Sequence, residues 1–102
     1  MHQLVKKNLE KLEKLCELYH VEELYLFGSA ASGRFRPGQS DFDFLVNFQP
    51  MTSYNHLDAY MGLTKALEEL LGTSVDLVEE KPLINPFFKE EIEETKVMLY
   101  AA

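Results

Sequence analysis

Over residues 3–19, Leu4, Leu9, Leu12, Leu15, Cys16 and Tyr19 fall near helical spacing with Lys and Glu between them, which predicts an amphipathic helix. The pattern then changes period. Residues 23–27 and 42–48 are short runs of aromatic and aliphatic residues on both faces, the mark of strands in a sheet covered by helices. A loop rich in Gly, Pro and Ser separates them, and its opening, 30–32, can form a helical turn. Helical spacing returns over 53–71, with Thr52 or Ser53 as the cap and Gly72 as the stop, and Leu57, Tyr60, Met61, Thr64, Leu67, Leu70 and Leu71 as the expected inward face. Residues 74–78 read as a third strand, 79–81 as a solvated turn, and Asn85-Pro86 as the start of a last helix with Phe88 and Ile92 facing the core. The apolar tail, 97–100, is expected to pack back on the domain or onto another chain.

The order helix, strand, loop, strand, helix, strand, helix indicates an α/β or α+β domain: a small mixed β-sheet backed by helices. The loop between the first two strands is too short to hold a crossover helix, so those strands should pair antiparallel. A length of 102 residues makes one domain, 1–102, with a single core.

Three acids do not fit this apolar pattern. Asp43 lies between Phe42 and Phe44, Asp41 two positions earlier shares its side of the strand, and Asp76 interrupts Val75 and Leu77. Two carboxylates about 4 Å apart repel by roughly 4 kcal/mol at an effective dielectric near 20, so a fold retains such a pair where a cation or proton neutralises it. Oxygen ligands favour magnesium, manganese or calcium, and magnesium typically takes one or two carboxylates plus substrate phosphates. The preceding loop suits phosphates, because Gly28 lets the backbone approach closely and Ser29 offers a hydroxyl. For Asp41 the bland alternative is turn chemistry with Ser40, which leaves Asp43 unexplained; for Asp76 it is the polar face of an edge strand.

The set Gly28, Ser29, Gly33, Ser40, Asp41 and Asp43, followed by Leu45-Val46 and later by Asp76, resembles the signature of the minimal nucleotidyltransferases of the DNA polymerase β superfamily. The resemblance covers nearly the whole chain. It implies the polymerase β-like nucleotidyltransferase fold and transfer of a nucleoside monophosphate, AMP from ATP, to an acceptor hydroxyl. Asp41, Asp43 and Asp76 would be the catalytic and metal-holding acids, magnesium or manganese the ion, and Gly28, Ser29 and Ser40 the nucleotide-binding residues. Small members of the family accompany a HEPN-domain toxin and act as its antitoxin, modifying a tyrosine on it. The sequence departs from the family twice, with one extra residue near Gly38-Gln39 and with Ser32 where an Arg is frequent. Arg34 and Arg36 are read equally as solvated surface and as phosphate contacts.

Charge narrows the partners. A formal net charge of −7 disfavours a nucleic-acid partner, since such affinity comes largely from Lys and Arg, and it suits a basic protein, bound as a homo- or hetero-oligomer. The runner-up is accordingly a non-catalytic module that neutralises its partner by occlusion. Cys16 reads as a small buried residue, and with one cysteine and no membrane-length apolar run a cytoplasmic setting is expected. His2, His20 and Asp58 read as solvated or capping groups, His56 as a surface or partner contact, and the glutamates at 90, 91, 93 and 94 as a solvated or partner-facing surface.

Overall fold

The computed structural model describes residues 1–80 and 86–102. Nine elements follow in order: α1 Gln3–Lys7, α2 Leu9–Leu18, β1 Val21–Phe27, α3 Ser29–Ser32, β2 Phe42–Phe48, α4 Ser53–Leu71, β3 Val75–Glu79, α5 Pro86–Thr95 and β4 Val97–Ala101. The four strands form one mixed sheet in the order β3-β2-β1-β4. β1 pairs antiparallel with β2 and with β4, while β2 and β3 run parallel across the α4 crossover. The antiparallel β1–β2 pair is the one that the short intervening loop requires. No helix among the described residues is long and apolar enough to cross a membrane.

The sheet divides the core into two layers. On one face the helices α1, α2 and α4 bury Val5, Leu12, Cys16, Leu63 and Leu67 against Leu24, Leu26, Phe42, Phe44 and Val46. On the other face α5 packs with Ile92 buried against Phe27 and Leu45 and with Tyr25, Val78 and Phe88 partly covered around them. Burial on both faces is why β1 and β2 read as continuous apolar runs.

Three expectations are corrected in detail. The helix expected over 3–19 is broken at Asn8, whose side-chain amide donates to the Leu4 carbonyl at 2.8 Å while its N–H bonds to Val5 O, so Asn competes with the helical ladder and resets it. β1 begins at Val21, earlier than expected, because His20 turns the chain with φ of +58°. On α4 the buried stripe is Ala59, Leu63, Leu67 and Leu71, whereas Leu57 and Met61 are 58% and 61% exposed. The apolar tail packs back on the domain, one of the two outcomes expected, and does so as the edge strand β4. The ends of α4 are as read, with the Thr52 hydroxyl accepting from Asn55 N–H and Gly72 closing the helix at φ of +71°. The proposed cap Asn85, and Lys81 of the turn before it, lie outside the described residues.

Candidate active site

β1 delivers its last residue, Phe27, beside Asp43, and β3 delivers Asp76 beside Asp43 on the other side. Asp43 is therefore the centre of the constellation, half-buried at the start of β2, with Asp41 exposed just before the strand and Asp76 exposed on its neighbour. Gly28 follows with φ of +71° and ψ of −149°, and a Cβ there would stand 2.7 Å from Asp43 Oδ2. Only glycine allows this approach. The chain then makes the single turn α3, with Ala31 and Ser32 N–H donating to Gly28 O at 3.2 and 3.0 Å, and Gly33 closes it at φ of +83°.

The loop that follows is a compact hydrogen-bonded turn. Gln39 and Ser40 N–H both donate to Arg36 O, at 3.0 and 2.9 Å, and the Ser40 hydroxyl accepts from Arg36 N–H at 3.0 Å. Ser40 thus shapes the loop, which is the role that turn chemistry assigns it, and the extra residue near Gly38 is absorbed with Gly38 at φ of +80°. Arg34 and Arg36 extend exposed side chains that meet no acceptor among the described residues. At the far side, His2 caps α1 by accepting from Leu4 N–H, and its ring lies 4.5 Å from that of Phe35 and 4.8 Å from that of Phe42, tying the N-terminal segment under the loop.

The electrostatics single out Asp43. Burial, then the carboxylates of Asp76, Asp41 and Glu91, raise its pKa from the ordinary 3.8 to about 6. The contribution of Glu91 was not anticipated, nor was Thr95, whose hydroxyl accepts from Gly28 N–H at 2.9 Å. A signal for both existed: if Phe88 and Ile92 face the core, then Glu91 and Thr95, each three residues after one of them, lie beside the same stripe.

The donor set fits a hard cation by its chemistry: oxygen ligands only, crowded negative charge, and a glycine leaving room beside Asp43. Among the described residues, however, no three His, Cys, Asp or Glu groups already close around one point.

Other titratable groups lie apart from this end of the sheet. Asn47 bridges Glu23 and Glu80, and His56 pairs with Glu79, at the opposite end of β2 and β3. A cleft of about 780 Å³ opens there, bordered by none of the candidate site residues. Cys16 is fully buried, and burial pushes its thiol up to about 12, so it is inert at neutral pH.

The model of the nucleotidyltransferase domain family matches residues 9–99. A protein of Methanocaldococcus jannaschii, provisionally named a protein adenylyltransferase, is 37% identical over 91 residues, which are 88% of this chain and 89% of that protein. A solved structure provisionally described as a minimal nucleotidyltransferase superposes with a TM-score of 0.76 at 32% identity, over 95% of each chain. A chain in the structure of tri-AMPylated Shewanella oneidensis HEPN toxin in complex with MNT antitoxin superposes with a TM-score of 0.63 at 21% identity, over 95% of this chain and 72% of that one, which shows the shared fold. The family match over residues 9–99 and the similarity to the archaeal relative lead to one assignment: the chain belongs to the nucleotidyltransferase domain family and is a nucleotidyltransferase.

Proposed function

We propose that this nucleotidyltransferase moves AMP from ATP, with magnesium, to a tyrosine hydroxyl of a partner HEPN-domain toxin and so acts as its antitoxin. The observation that carries the reading is Asp43 lodged against Gly28 and registered beside Asp76, which puts a metal-type acid, a close-approach glycine and a second acid at one point. The AMP on a HEPN toxin bound to a protein of this fold supports the acceptor, and the charge of −7 supports a basic partner.

In this reading Gly28 and Ser29 receive the β- and γ-phosphates, the glycine by admitting them to the backbone and the serine by donating its hydroxyl. Asp41 and Asp43 would hold magnesium, with Asp76 completing the ligand set, and the ion would supply positive charge to offset the negative charge of the triphosphate. Asp76 orients the acceptor tyrosine and takes up its proton as the oxygen bonds to the α-phosphorus and the bond to pyrophosphate breaks. In this reading the partner supplies the acceptor.

Incubating the protein with its cognate HEPN partner, ATP and magnesium should raise the partner's intact mass by one or more AMP units, and EDTA should prevent it. Asp76→Asn should keep ATP affinity nearly unchanged and lose transfer, whereas Asp43→Asn should lose both. An unchanged partner mass with full inhibition would instead establish neutralisation by occlusion.

A further inference from the structure

The C-terminal part of the chain is tied to the phosphate loop from two directions. Thr95, the last residue of α5, accepts a 2.9 Å hydrogen bond from Gly28 N–H across 67 positions of sequence. The hydroxyl proton of Thr95 is directed to the Glu91 carbonyl, 2.9 Å away within the helix, so the side chain is held with a lone pair toward Gly28. β4 starts two residues later and pairs Val97 with Leu26 and Met98 with Tyr25. Sheet register therefore fixes the end of α5 over the end of β1. Packing does the same from within, through Ile92 buried on Phe27 and the Phe88 ring edge-on to Phe27 at 5.9 Å.

Gly28 needs such an anchor. It has no side chain to hold it, its φ of +71° and ψ of −149° belong to a region that glycine enters and leaves freely, and its carbonyl already accepts from Ala31 and Ser32. Its N–H lies in the Phe27–Gly28 peptide plane, and Thr95 holds that plane through it. Because Asp43 Oδ2 lies against Gly28, a rotation of that plane displaces the phosphate loop and the central acid together.

We infer that Thr95 is a positioning residue for nucleotide binding: its hydroxyl holds Gly28 in the conformation that receives the phosphates, and α5 with β4 forms a strap that assembles the site without touching the substrate. This rests on the reading of Gly28 and Ser29 as the phosphate loop.

The test compares Thr95→Val, which keeps the shape and loses the acceptor, with Thr95→Ser, which keeps the acceptor. Thr95→Val should raise the KM for ATP about tenfold with kcat changed far less, and Thr95→Ser should restore KM to within about twofold of wild type, in keeping with the loss of one part-buried hydrogen bond. Amide hydrogen exchange gives a readout independent of turnover. Gly28 N–H should be as protected as its neighbours in β1 in the wild type and the Ser variant, and should exchange about tenfold faster or more in the Val variant. Unprotected Gly28 in the wild type, a Val variant equal to wild type in both readouts, or a Ser variant as impaired as Val would each overturn the inference. A protected Gly28 in a wild type that binds no ATP overturns the nucleotide reading while leaving the Thr95 bond established.

Discussion

Each influence on the Asp43 carboxyl, the surrounding apolar wall and the carboxylates of Asp76, Asp41 and Glu91, disfavours its charged form. The folded pKa of about 6 stands above the ordinary 3.8, so folding binds a proton between those values and stability falls as pH rises from about 4 through 6. Asp43→Asn should therefore be more stable than wild type above pH 6, by about 1 kcal/mol once the shift is discounted for a carboxyl half open to water, and equal to it below pH 4. Urea unfolding of metal-free protein at pH 4 and pH 7.5 checks this; a variant less stable than wild type at the higher pH would contradict it. Asp43 and Asp76 stand out in the sequence because an acid inside an apolar strand has no packing role, whereas Asp41 precedes its strand and is marked by its spacing from Asp43. Glu91 and Thr95 were harder to read: the stripe of Phe88 and Ile92 passes beside them, but α5 carries glutamate on several sides and composition does not tell the one that acts on Asp43 from the others.

Gly62 shows why a correct helix can still be assigned the wrong face. The span and both ends of α4 were readable from Thr52 and Gly72, but Leu57 and Met61 outweighed the small residues Ala59 and Gly62 in the hydrophobic pattern, although α4 meets its neighbours through the latter. A Cβ on Gly62 would lie 2.5 Å from Tyr19 Cε1, so the end of α2 packs directly on the α4 backbone. Glycine in a helix interior costs about 0.5–1 kcal/mol relative to alanine, and here close approach offsets that cost. Gly62→Ala should consequently lower the thermal midpoint by several degrees, while the same substitution in a Tyr19→Ala background should be neutral or stabilising. Equal effects in both backgrounds would remove the Tyr19 contact as the cause.

At the scale of the whole molecule, the sheet's centre was legible and its edge was not. A loop too short for a crossover required β1 and β2 to be antiparallel, whereas residues 97–101 are uniformly apolar and pair with β1, which lies far back in the sequence, so nothing local marks them as a strand. The net charge of −7 gathers in part at the open end of the sheet, where the carboxylates of Asp41, Asp76 and Glu91 act on Asp43. A tetra-anionic nucleotide adds to that repulsion unless a cation comes with it. ATP with magnesium should therefore raise the unfolding temperature, by an amount corresponding to about 2.7 kcal/mol at a hundredfold excess over Kd, and ATP with EDTA should leave it unchanged. Differential scanning fluorimetry decides, and an equal shift in EDTA would contradict the carboxylates as ligands of the nucleotide's counter-ion.

The 67-residue span between Gly28 and Thr95 also governs when this enzyme comes into being. During synthesis β1, the loop and β2 leave the ribosome early and can pair at once, but Asp76 and then Thr95 follow only after most of the chain has been made, and long-range closures form late. A nascent or partly unfolded chain thus holds the loop and the first two acids in an uncocked state. Activity becomes a report that the whole domain has closed, and any event that frees the last strand switches the site off before the core has melted.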